Sequence, residues 1–130
     1  MLRFVLFISF LAQPAIAADE PMSPTEFEAL VTGQILSYSS QSQEYGVEEY
    51  LEDRRVRWAY PDGQCTEGHW YEAGDQICFE YDGIATPQCW TFHLRDETLT
   101  ARFKNVPQGA LHETKRLDTP PLCLGPDVGA

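Results

Sequence analysis

Four cysteines, three histidines and a band of aromatic residues are the side chains of this 130-residue chain that could do chemistry. Cys65, Cys78, Cys89 and Cys123 contain no C-x-x-C pair, the spacing that would favour a thiolate metal site. Four cysteines allow three pairings, and structural disulfides are expected in an exported chain. His69, His93 and His112 are too scattered to suggest a metal or catalytic centre. His69 and His93 fall on the polar faces of their strands with Glu80 and Cys78, where one could meet a carboxylate, but a solvated outer face explains them more simply. There is no G-x-S-x-G, H-E-x-x-H or glycine-rich phosphate loop, so no catalytic residue, metal or cofactor is expected. Acid pairs such as Glu48-Glu49 and Glu52-Asp53 are common in a chain with 20 acidic residues and single out no site. The aromatic set remains. Trp58, Tyr60, Trp70, Phe79, Trp90 and Phe92, with Tyr81, share one face by period 2. In a barrel that face is the interior, where aromatic rings can line a small ligand cavity or simply fill it.

The elements that position these rings form a strand meander over residues 63–93. Ile77, Phe79 and Tyr81 alternate with Cys78 and Glu80, and Trp90, Phe92 and Leu94 alternate with Cys89, Thr91 and His93. A loop centred between Gly83 and Ile84 sets Cys78 opposite Cys89 and Ile77 opposite Trp90. Opposed residues share a face with Cβ atoms about 4.5–5.5 Å apart, which brings two cysteines within bridging reach. That register predicts a Cys78–Cys89 bond and leaves Cys65 for Cys123. Upstream, residues 68–72 form another strand, and Val56, Trp58 and Tyr60 alternate along 55–60 until Pro61-Asp62-Gly63 turns the chain.

Outside the meander, strands are expected at 35–39, 45–51 and 99–103, with a weaker one within 108–117. Ser23-Pro24-Thr25-Glu26 is a capping box with Pro at N1, and Met22 and Phe27 occupy the staple positions. It predicts a helix over 24–32 that docks through Phe27, Leu30 and Val31 and ends at Gly33. So short a helix needs tertiary support, and the end of the sheet is where it can plug. The expected fold is mainly β: a small antiparallel up-and-down barrel or curved sheet of about eight strands with one short N-terminal helix, an open sandwich being the alternative.

Residues 1–17 read as a secretory signal peptide, with Arg3, an apolar run and Ala15-Ile16-Ala17 before the cut. Residues 18–22 are a lead-in, 23–117 the barrel domain with its helix, and 118–130 a Pro/Gly-rich tail anchored by Cys123. The net charge is −11, and removal of Arg3 makes it one unit more negative. That surface repels nucleic acid and anionic lipid, and no membrane insertion is expected once the signal is removed. It leaves an unknown small ligand or a cationic protein as partner. G-x-W at Gly68 and Trp70, then Cys78, then Cys89-Trp90 resembles short exported bacterial proteins of unknown function, over most of the mature chain. A looser likeness to lipocalin-type barrels rests on architecture. The expected role is that of an acidic, disulfide-stabilised, non-catalytic binding or accessory protein, periplasmic or extracellular. The alternative is an acidic inhibitor or decoy of a basic partner.

Overall fold

The two cysteines of the meander do stand opposite each other: Cys78 pairs with Cys89, Ile77 with Trp90 and Phe79 with Gln88. This register belongs to the ladder between β5 (Gln76–Tyr81) and β6 (Gln88–Arg95). The structure is a computed structural model that describes residues 20–124 together with Ser9 and Ala12. The expected signal segment lies almost wholly outside the described residues, as does the tail beyond Leu124. The other strands are β1 (Ile35–Ser40), β2 (Gln43–Tyr50), β3 (Arg55–Ala59), β4 (Cys65–Ala73), β7 (Thr98–Phe103) and β8 (Leu111–Arg116). All neighbours are antiparallel, and β8 pairs back onto β1, so the chain forms a closed eight-stranded up-and-down barrel. Among the described residues every strand therefore has a paired neighbour on both sides, and no strand is left as a free edge.

The strand positions follow the alternation closely, with differences at the ends. β4 begins at Cys65, three residues before Gly68, and the weak last strand is confined to Leu111–Arg116. Leu94, grouped with the inward Trp90 and Phe92, is exposed; it is still paired with Leu99 of β7 but lies at the end of β6, beside the turn into β7. The β1–β2 and β6–β7 connections are two-residue turns, Gln41-Ser42 and Asp96-Glu97, with positive φ and no glycine. Such turns match the strand twist, but carry no glycine signal to mark them in advance.

Helix α1 (Pro24–Val31) closes one end of the barrel. The amide of Glu26 donates to Ser23 Oγ at 3.2 Å and the amide of Ser23 donates to Glu26 Oε2 at 3.1 Å, the two halves of the capping box. Phe27 and Val31 are fully buried. The Phe27 ring stands edge-on to Trp70 and Tyr50, with centroids 5.2 and 5.8 Å away, and tilts against Phe92 at 4.4 Å. β5 and β6 share only three residue pairs, and past Trp90 the Met22 amide donates to the Phe92 carbonyl at 2.7 Å. The lead-in thus fills the place that a longer β5 would have taken.

Both disulfides are present, Cys78–Cys89 and Cys65–Cys123. The second ties the tail beside the β3–β4 turn, where the Leu124 amide donates to the Gly63 carbonyl at 2.7 Å. On the outer wall Arg57 lies 3.5 Å from both Glu49 and Glu67. Among the described residues no helix is long and apolar enough to cross a membrane.

If α1 is a packed plug, Phe27→Ala removes a fully buried ring and should cost about 3–5 kcal/mol. Ser23→Ala, which removes only a cap, should cost about 1 kcal/mol. Urea melts of the two variants check the ranking; a silent Phe27→Ala would mean that the helix adds no packing.

Candidate functional site

At the end opposite α1 the interior is hollow. Strand alternation aims Trp58, Phe79, Tyr81, Trp90 and Phe92 inward, yet a cavity of about 250 Å³ remains among them. Small residues make room for the rings. Gly46 faces inward on β2, and a Cβ there would collide with the Trp58 indole. Ala101 and Leu111 supply the short side of the wall. The mouth is bordered by Tyr45 and Tyr60, which are 45 % and 40 % exposed. Tyr45 reaches it because the β1–β2 register shifts between Tyr38 and Ser39, leaving Tyr45 with no residue opposite. Such a bulge turns a side chain away from strict alternation.

Five of the six aromatic residues singled out from sequence, Trp58, Tyr60, Phe79, Trp90 and Phe92, line this one cavity. Trp70 does not. It faces inward one level lower, packed on Phe27 with the Arg54 guanidinium 4.5 Å above its ring. Arg54 is held there by Glu28 of α1 at 3.0 Å. Period 2 gives the face of a residue but not its height along the barrel axis, and at Trp70's height the helix fills the space.

Alternation in the second strand conceals the polar feature of the cavity. Glu48 points inward from the middle of β2, between Leu36 of β1 and Trp58 of β3, and is 1 % exposed. The Tyr81 hydroxyl donates to Glu48 Oε1 at 2.7 Å. Among the described residues Oε2 has no hydrogen-bond partner. Nearby the Tyr38 and Tyr50 hydroxyls share a hydrogen bond of 2.8 Å. Burial lifts the Glu48 carboxyl from the ordinary 4.5 to about 8, against the opposing effect of the Tyr81 hydrogen bond. Burial likewise pushes Tyr38, Tyr50 and Tyr81 upward. The acid pair Glu48-Glu49 is therefore split by the sheet: Glu49 meets Arg57 outside, while Glu48 enters the cavity. Hydrophobic periodicity points the wrong way here, because Tyr45, Val47 and Leu51 make the opposite face the more apolar one.

A comparison with protein-family models, curated proteins and solved structures finds no match to this chain. The site is therefore read from its own geometry.

The histidines stand elsewhere. His69 lies 3.3 Å from Glu80 on the exposed wall, outside any cleft. His112 is exposed, with Nδ1 3.3 Å from Thr100 Oγ1. His93 corrects the expectation of a solvated face: it is 6 % exposed, with Nε2 2.9 Å from Thr91 Oγ1. A period of 2 separates the two faces of a strand but does not say what packs outside the sheet. Among the described residues no group of three or more His, Cys, Asp or Glu side chains is arranged to hold a metal ion.

The buried carboxyl has a measurable consequence for stability. Its folded pKa is raised, so between about pH 4.5 and 8 the folded state holds a proton that the unfolded state has released. Its stabilising share is complete below about pH 4.5 and is lost as pH rises through about 8, with a slope approaching 1.4 kcal/mol per pH unit. Glu48→Gln removes that share. The difference in unfolding free energy between the two proteins, measured in urea from pH 4 to 9, should therefore move in favour of the variant as pH rises. A pH-independent difference would show that Glu48 ionises normally in the folded state.

Proposed function

We propose that this protein is a non-catalytic small-molecule binder of an oxidising, extracytoplasmic compartment, and that the hollow end of the barrel is its ligand site. The observation that carries the reading is the cavity itself. It is open at one end, walled by aromatic rings, and furnished with a buried carboxyl whose second oxygen has no partner among the described residues. Such a combination of apolar wall and few placed polar groups is what ligand pockets present. A volume near 250 Å³ suits a compound of about ten non-hydrogen atoms, given that 150 Å³ holds benzene. None of the lining residues is a serine, cysteine, histidine or lysine, which supports binding rather than covalent chemistry.

Two disulfides fit an oxidising compartment, and the signal-like residues 1–17 support export to the periplasm or medium. The G-x-W…C…C-W resemblance to short exported bacterial proteins agrees with that placement. The alternative, an acidic decoy for a basic protein, rests on the net charge of −11. It would use the outer wall and leave the cavity free.

Titration with a panel of small aromatic and aliphatic compounds, followed by tryptophan fluorescence, tests the proposal. Saturable quenching is expected, because Trp58 and Trp90 line the site. Ala101→Phe should abolish it by filling the cavity while the thermal transition survives. Equal binding by wild type and Ala101→Phe would place the ligand elsewhere. Salt-sensitive binding of a basic protein with no uptake of any small compound would favour the decoy.

A further inference from the structure

The cavity's polar group narrows the ligand class. We propose that the barrel holds a small organic cation, an amine or quaternary ammonium, with Glu48 as its counter-ion and the aromatic wall around its charge. The inference rests on the cavity being a ligand site, and three features carry it beyond that. First, Glu48 is a lining residue of the cavity and almost fully buried, and its Oε2 has no hydrogen-bond partner among the described residues. A carboxyl kept only for structure would have both oxygens satisfied, since an unmet buried polar atom is costly. Second, the lining contains no lysine or arginine, so the counter-charge has to arrive with the ligand. Third, aromatic rings stand close to the carboxyl. Trp58 stands opposite Glu48 across the β2–β3 pair, Tyr81 holds Oε1, and Tyr38 and Tyr50 complete that level. Ring faces attract cations, most strongly where water is excluded.

The charge of the whole chain acts in the same direction. A net charge of −11 raises the local concentration of cations and lowers that of anions. Fatty acids and other carboxylates would meet Glu48 with no basic residue among the lining groups to offset it. A neutral carbonyl compound is the competing occupant, because a protonated Glu48 could donate to it. The two differ in sign. A cation selects the ionised carboxylate, so its binding expels a proton and strengthens with pH. A neutral acceptor selects the protonated acid, so its binding weakens with pH.

The groups that face Glu48 leave this readout clean. They are Tyr38 from β1, Tyr50 on its own strand and Tyr81 from β5; Trp58 of β3 does not titrate, and Glu113 and Arg116 of β8 act on Tyr38. Burial pushes all three phenols upward, away from the range in which the carboxyl titrates near 8.

Choline and its neutral isostere 3,3-dimethylbutan-1-ol separate the possibilities, since neither ionises between pH 6 and 9. Calorimetric titration of the wild type should show choline binding at least tenfold more tightly than the alcohol at pH 8. Its affinity should rise by up to about tenfold per pH unit below about 8 and level off above, with close to one proton released per ligand at pH 6. Glu48→Gln should lose the preference and the pH slope and still take up the alcohol. Equal binding of the two compounds, or choline affinity that falls with pH, overturns the cation and leaves the cavity as a binding site. Uptake of neither compound at any pH overturns the cation, and if the wider panel also fails, the ligand site goes with it. Should Glu48→Gln not fold, the isostere ratio and the pH slope of the wild type decide the matter alone.

Discussion

Ring closure between β1 and β8 is the constraint on which the other features depend. Once eight strands close, every inward side chain shares one narrow space, just wide enough to be filled by side chains or to hold one small molecule. Which of these happens is decided by a few residues. Gly46 yields its volume to the Trp58 indole, and Gly68 on β4 has a bare backbone because a Cβ would strike the Glu80 carbonyl. Ala101 and Leu111 keep the opposite wall thin. Large rings from one side meet small residues from the other, and the space between them is the cavity.

The two ends of the barrel are built on opposite principles. At one end Phe27 sits among Tyr50, Trp70 and Phe92, and the interior is filled by ring packing that excludes water. At the other, Tyr45 and Tyr60 frame an opening and Glu48 waits inside. Burying a carboxyl in an aromatic barrel opposes folding, because neither its charge nor its second oxygen is compensated there. The filled end and the two disulfides offset that cost. In the chain-entropy model Cys78–Cys89, 11 residues apart, contributes about 3 kcal/mol, and Cys65–Cys123, 58 apart, about 4 kcal/mol. The longer bridge also holds Leu124 against Gly63, next to the turn that carries Tyr60. The covalent reinforcement of the fold thus includes one side of the opening.

Much of this architecture could be read from residue order. The capping box and the staple residues located the helix, since those interactions are local. Strict alternation from Val56 to Tyr60 and from Ile77 to Tyr81 located strands, and one hairpin register accounted for both Cys78–Cys89 and Ile77–Trp90. The up-and-down order followed from short turns between successive strands. Of the nine aromatic residues that line the cavity, Trp58, Tyr60, Phe79, Tyr81, Trp90 and Phe92 were legible for the same reason: period 2 assigns a face, and in a barrel a face is an inside.

The height of a residue along the barrel axis, and the polarity of the interior, were not written in any local pattern. Trp70 and Phe79 are paired neighbours on adjacent strands, yet one lies under the helix and the other lines the cavity, because only the docked Phe27 separates the levels. Glu48 entered the barrel although its strand is more apolar on the other face, since ladders with β1 and β3 set that strand's orientation jointly. His93 is buried although alternation sets it on the polar face, because alternation assigns a face and says nothing of what covers it. The sequence by itself therefore determined the elements, their order and the cysteine pairing, all governed by short-range geometry. Tertiary structure decided that the barrel is hollow at one end and that a carboxyl lies within it, because those depend on side chains brought together from strands far apart in the chain.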